Sequence, residues 1–76
     1  MNRTTIRKSV NEVKAGELFI SPVNHTVREI VRVREVVFEV SEGDVPGVEI
    51  LHKSPAHPHV QYSNFAGGGQ LSILIT

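Results

Sequence analysis

The run from Val27 to Val40 constrains this chain more than any other stretch. Six Val and one Ile fall within its 14 residues. β-branched side chains lose χ1 freedom in a helix and pack well on a pleated surface. A helix competes, because Val27, Ile30, Val31 and Arg34 also fit helical spacing. The density of β-branched residues favours strands, at 27–34 and 36–41. The run does not read as one simple amphipathic strand. Val31 and Val33 place odd positions on the apolar face, whereas Val36, Phe38 and Val40 place even positions there. A slip of one residue exchanges the two faces, so the pattern predicts a bulge or turn near Arg34–Glu35.

The rest of the chain has the same bias. It holds 12 Val, 6 Ile and 4 Thr against 3 Ala, a balance that suits pleated sheet and not helix. Turn residues cluster at Ser21–Asn24, Gly43–Gly47, Ser54–Pro58 and Gly67–Gly69. Between them the pattern predicts further strands at 17–21, 48–53, 59–63 and 71–75. The glycine triplet reads as a flexible hairpin connection. Leu71, Ile73 and Ile75 alternate on one face, so the last strand is expected to be paired and to close the sheet. The first 14 residues are polar, with four basic residues and one acidic. Ser9 and Glu12 have capping-box spacing and Gly16 could end a turn. Both one or two helical turns at 9–15 and an extended arm fit. The expected organisation is a basic, partly flexible arm at 1–12, mobile over 1–5, and a small β-barrel domain at 13–76.

Seventy-six residues make one domain with a thin core. The expected class is therefore mostly β: a small single-domain barrel, or a barrel-like antiparallel sheet of five to six short strands. The segment Val13-Lys14-Ala15-Gly16-Glu17-Leu18-Phe19 resembles the opening of many SH3-like barrels, a turn followed by Gly, an acidic residue, an apolar one and an aromatic. Arg28–Val33 resembles their second strand of alternating basic and β-branched residues. Val48–Leu51 and Tyr62–Phe65 would be later strands. The resemblance is one of pattern over about residues 13–66 and implies an SH3-like fold. Phe19 stands where such modules often carry Trp, and no binding residue is transferred from the resemblance.

Composition narrows function by exclusion. With no cysteine there is no disulfide, thiolate zinc site or cysteine nucleophile. No nucleophile elbow, phosphate loop or dinucleotide fingerprint is present. The expectation is a protein that is not an enzyme and has no cofactor. No apolar stretch after Arg3, Arg7 and Lys8 is long enough for a signal peptide or membrane helix. That predicts a cytoplasmic protein without membrane contact.

Formal net charge is zero, but it is unevenly laid out. Residues 1–34 hold seven basic and three acidic groups, residues 35–76 one and five. Even spacing places Arg28, Arg32 and Arg34 on one strand face, opposite Val31 and Val33. With Lys8 and Lys14 they form a candidate surface for nucleic acid or another anion. The competing reading is a solvated face on which Arg32 and Arg34 pair with Glu39 or Glu49. Tyr62 and Phe65, on opposite sides if their strand runs past Ser63, are candidate platforms for bases. Phe19 and Phe38 are expected in the core. Three histidines, His52, His57 and His59, are candidate metal ligands, with surface residues of an exposed loop at 54–58 as the competing reading; His25 could join from a loop.

Three functions follow. The leading expectation is a binding module whose partner is another protein or a second copy of itself, because net charge is zero and the terminal strand is apolar. The alternatives are nucleic-acid binding through the basic face, and metal binding by histidine.

Overall fold

The computed structural model describes residues 4–75. It is a single six-stranded antiparallel sheet, with no helix among the described residues. The strands are β1 (Thr5–Ser9), β2 (Leu18–Ile20), β3 (Val27–Val40), β4 (Gly43–Ser54), β5 (His57–Ala66) and β6 (Gln70–Leu74). Their spatial order is β1-β6-β2-β3-β4-β5. Strands β2 to β5 form a meander. The chain then returns to the other half of the sheet, where β6 lies between β1 and β2.

The mostly-β, barrel-like antiparallel sheet expected from composition is what the chain forms. It is not closed into a barrel, and β1 and β5 are its two edges. The last strand is paired on both sides but lies inside the sheet, so it does not close it. Gly67–Gly69 is not a hairpin, because it joins strands that are not neighbours. Ser9 ends β1, and residues 10–15 form turns and irregular backbone and not helix: Glu12 N–H bonds to Ser9 O at 2.9 Å and Glu17 N–H to Lys14 O at 3.2 Å. The stretch read as an arm contributes β1 and a core residue, Val10. Its first three residues, with Arg3, lie outside the described ones.

Gly43–Gly47 is strand, and the turn before it is Ser41–Glu42. Likewise the turn between β4 and β5 is only Pro55–Ala56, and His57 and Pro58 already belong to β5. Pro58 is tolerated there because β5 is an edge strand, where a missing N–H breaks no interior ladder.

Val27–Val40 is one strand of 14 residues. Its bulge lies between Ile30 and Arg32, leaving Val31 as the extra residue. From Arg32 to Val40 the pairing with β4 is regular. The expected slip at Arg34–Glu35 is therefore absent, for a physical reason. That expectation assumed one apolar face. Val33 pairs with Ile50 on the inner face, while Val36 and Phe38 lie on the outer one, where the Phe38 ring covers Gly47. The apolar pattern changes face without any change of register.

The inner face carries the core. Val10, Val13, Phe19, Ile30, Val48, Ile50 and Ile73 are buried there, with Val33, Ala66 and Leu71 packed against them. Residues 10–13 fold across this face as its lid, held where Val10 N–H bonds to Gly69 O at 3.1 Å. Ile30, beside the bulge, has no exposed surface. Its backbone N–H and C=O are bonded to Glu17 O and Gly16 N–H, tying β3 to the entry of β2.

One electrostatic clamp holds the lid turn. Lys8 Nζ lies 3.1 and 3.0 Å from the Glu17 carboxylate oxygens, and Lys14 N–H bonds to Glu17 Oε1 at 2.6 Å. Burial is the largest single influence on this carboxyl and opposes its ionisation. The Lys8 bond, the Lys14 N–H bond and the two lysine charges together outweigh it, so Glu17 titrates below its ordinary value of 4.5. A carboxyl lowered by folding adds stability that is complete above its unfolded pKa and is lost as pH falls through the folded one. Melting temperature should fall as pH drops below about 4.5. Glu17→Gln should flatten that limb and lower the melting temperature at pH 7. Parallel acid limbs in the two proteins would refute this role for Glu17.

Candidate binding surfaces

The bulge decides where the arginines point. Phe19, Arg28 and Ile73 are register neighbours across β2, β3 and β6 and share the inner face. Past Val31 the parity of β3 has changed, and Arg32 and Arg34 stand on the outer face with Glu49 and Leu51. The three arginines do not form one basic face, as their even spacing suggested.

On the inner side Arg28 builds a polar cluster against β4 and β5. Its Nε–H donates to His52 Nδ1 at 3.1 Å. The guanidinium always donates, so His52 Nδ1 is the acceptor and its proton is on Nε2. That N–H donates in turn to Asn64 Oδ1. The Phe19 ring meets the His52 ring edge-on at 5.4 Å, and Tyr62 stacks on the other side at 6.2 Å. Arg28 Cζ lies 5.1 Å from the Tyr62 centroid, within cation–π range. Arg28 Nη2 is covered by protein and has no hydrogen-bond partner among the described residues. Arg28, His52, Tyr62 and Asn64 line a cleft of about 310 Å³ that also touches Ser21, Asn24 and Ser63.

On the outer side Glu49 is the centre. It is buried, although it faces outward. Arg34 Nη2 lies 2.8 Å and Arg32 Nη2 3.7 Å from Glu49 Oε1, with both arginine side chains more than half exposed. That oxygen is close to the guanidinium nitrogens but not aligned for a hydrogen bond, so the contact is an ion pair. The pairing with Glu49 is one that the sequence allowed. Phe65 is the register partner of Glu49 and is 58% exposed. Its ring meets Phe38 edge-on at 6.2 Å. Phe38 thus belongs to an outer aromatic pair and not to the core, whereas Phe19 is in the core as expected. Tyr62 and Phe65 fall on opposite faces, because β5 does continue past Ser63.

The histidines do not gather. Both ring nitrogens of His52 are engaged, by Arg28 and Asn64. His57 and His59 stand exposed on β5 with ring centroids 6.5 Å apart. His25, in the β2–β3 link, has a left-handed backbone with φ of 59°. Among the described residues no three His, Cys, Asp or Glu side chains are placed to hold a metal ion. The expected trio of His52, His57 and His59 is therefore not brought together.

Of the remaining basic candidates, Lys8 is held by Glu17 and Lys14 is exposed on the lid turn. Sequence reasoning missed Asn24 and Asn64. Neither carries a motif, and their roles appear only once strand pairing puts Asn64 on the face of His52. The chain matches no family model, no curated protein and no solved structure.

Proposed function

We propose that this chain is a small, non-enzymatic binding module of the SH3-like kind, working in the cytoplasm, that pairs through the free edge of β5 with a second copy of itself. One observation carries the reading. β5 is a ten-residue edge strand without a single Asp, Glu, Lys or Arg. Edge strands are ordinarily blunted by charge, especially Lys, because their unpaired backbone groups attract other strands. Here that protection is missing, and Val60, Tyr62 and Phe65 are exposed on the strand. Two copies of β5 placed antiparallel would bring no like charges together. The added strand would also extend a core that is thin for its surface.

Sedimentation equilibrium tests the reading. A mass twice the 8.4 kDa of the chain is expected at micromolar concentration, and Val60→Lys should return it to a monomer with its fold intact. A wild-type monomer at all concentrations would sink self-pairing, and an added strand from a different protein would then take its place.

A second reading has its own observation. Phe65 shares the outer face with Arg32 and Arg34, across Glu49 from them, and an aromatic ring on the same face as guanidinium groups suits single-stranded nucleic acid. Glu49 opposes it by cancelling one of the two charges. Oligonucleotide affinity in this reading falls with salt at a slope of only about −0.7 to −1.4, one or two phosphates neutralised. Affinity unchanged by Arg32→Glu with Arg34→Glu would exclude it.

A further inference from the structure

We infer that the inner cleft at Arg28 is a site for a small phosphate-class oxyanion. The inference is independent of the strand-pairing reading, and it rests on which hydrogen-bonding groups of the cleft are already spent.

The side-chain amide oxygens of the cleft are spent. Thr26 N–H and Thr26 Oγ1 both approach Asn24 Oδ1, at 3.3 and 2.8 Å. A backbone N–H can only donate, which fixes that atom as the oxygen and leaves the Asn24 NH₂ free to donate. On the opposite wall the relay from Arg28 through His52 ends on Asn64 Oδ1. By the same logic the Asn64 NH₂ is an unspent donor. Ser21 Oγ accepts from Val23 N–H at 3.3 Å, so its hydroxyl proton is free as well. The cleft is thus lined by donors: a guanidinium, two amide NH₂ groups and a hydroxyl.

The charge is also uncompensated. Arg28 is half-buried, and among the described residues it forms no salt bridge. Lys8 at the lid turn and Arg32 and Arg34 on the outer face each have a carboxylate; Arg28, like Arg7, Lys14 and Lys53, has none, and of these four only Arg28 has a covered nitrogen without a partner among the described residues. No Asp or Glu lines the cleft. A partly desolvated cation without a counter-charge is costly, and the Tyr62 face offsets only part of that cost. An anion supplies what is missing. Four donor groups around a cleft open to solvent suit an oxyanion with three or more acceptor oxygens better than a carboxylate with two, and arginine favours phosphate geometry.

The test uses inorganic phosphate and glycerol phosphate as probes, with chloride holding ionic strength constant. The readouts are the side-chain ¹H–¹⁵N signals of Arg28 Nε, Asn24 and Asn64. Saturable shifts of these three signals are expected. Equal response to both probes identifies the free ion as ligand, and a tighter response to the ester identifies a phosphomonoester. Arg28→Met should weaken binding at least about tenfold, the loss expected for a charged hydrogen bond. Arg28→Lys should weaken it less, keeping the charge but losing the fork. Asn64→Asp still accepts from His52 but places a carboxylate beside Arg28, so it should abolish binding even if Arg28→Met folds poorly. Arg34→Met, on the opposite face, should change nothing. Shifts that follow ionic strength alone, or that survive Asn64→Asp in a folded protein, would overturn the inference.

Discussion

Ile30→Ala should cost the fold about 2–5 kcal/mol, the range for removing most of a fully buried aliphatic side chain. The stability of a chain this long is only about 4–11 kcal/mol at the usual value per residue, so the variant is expected to populate unfolded molecules at room temperature. The size of the effect follows from position. Ile30 is one of the two largest side chains with essentially no exposure, and it lies where β2, β3 and the lid turn meet. Its backbone is bonded on both sides to Gly16 and Glu17. The surroundings therefore have little freedom to collapse into the cavity. Urea denaturation measures the loss, and Ile30→Val should sit well above Ile30→Ala, at about 0.5–1.5 kcal/mol. A near-wild-type midpoint for Ile30→Ala would mean that the core is not centred there.

Gly47→Ala is the second large effect, and its mechanism is the opposite: addition and not removal. A Cβ built at Gly47 would overlap Phe38 Cε2, stand 2.9 Å from Phe38 Cδ2 and 2.8 Å from Ala66 O. The ring could swing away into solvent, but the carbonyl belongs to the backbone of β5 and cannot. Relief requires β4 and β5 to part at this end and Phe38 to leave its contact with Phe65. Overpacking of this kind costs about 1–3 kcal/mol. Phe38→Ala on its own would not relieve it, because the Ala66 oxygen stays. The double variant Phe38→Ala/Gly47→Ala, compared with each single one by denaturant midpoint, separates the ring from the carbonyl. Full recovery in the double variant would show that only the ring matters.

The fold class was legible because β-branched residues are so dense that few alternatives survive. Individual strands were legible where one face is apolar, as in Leu71–Ile73 and Val48–Ile50. The reading failed where an assumption about faces was hidden in it. By pattern Val36 and Phe38 read as a continuation of one apolar side, yet they belong to a separate outer cluster over Gly47. Gly43–Gly47 looked like a turn because it holds two glycines, a proline and an aspartate. Its strand pairing with β3 depends on tertiary partners that local chemistry does not announce. Thr5–Ser9 is polar and only half covered at its end, so nothing in its pattern marks it as a strand beside β6. At the candidate site, Arg28 and His52 were singled out for separate reasons. Their contact spans 24 residues of sequence, and it arises because a bulge turns Arg28 away from Arg32 and Arg34. No periodicity argument can see the bulged Val31, since it is the residue that breaks the period.

That extra residue also sets how the strand tolerates changes in its length. On β4 the step from His52 to Leu51 is one residue, while on β3 the matching step from Ile30 to Arg32 is two. Removing Val31 would make the two steps equal. Arg28 and Ile30 would still face inward, and Arg32 and Arg34 outward. The strand would lose its local bend, but no side chain would change sides. A one-residue deletion elsewhere in β3 that leaves the bulge in place reverses every position on one side of it. Val31 is thus the joint at which this strand can change length while the cleft and the ion pair on opposite faces stay where they are.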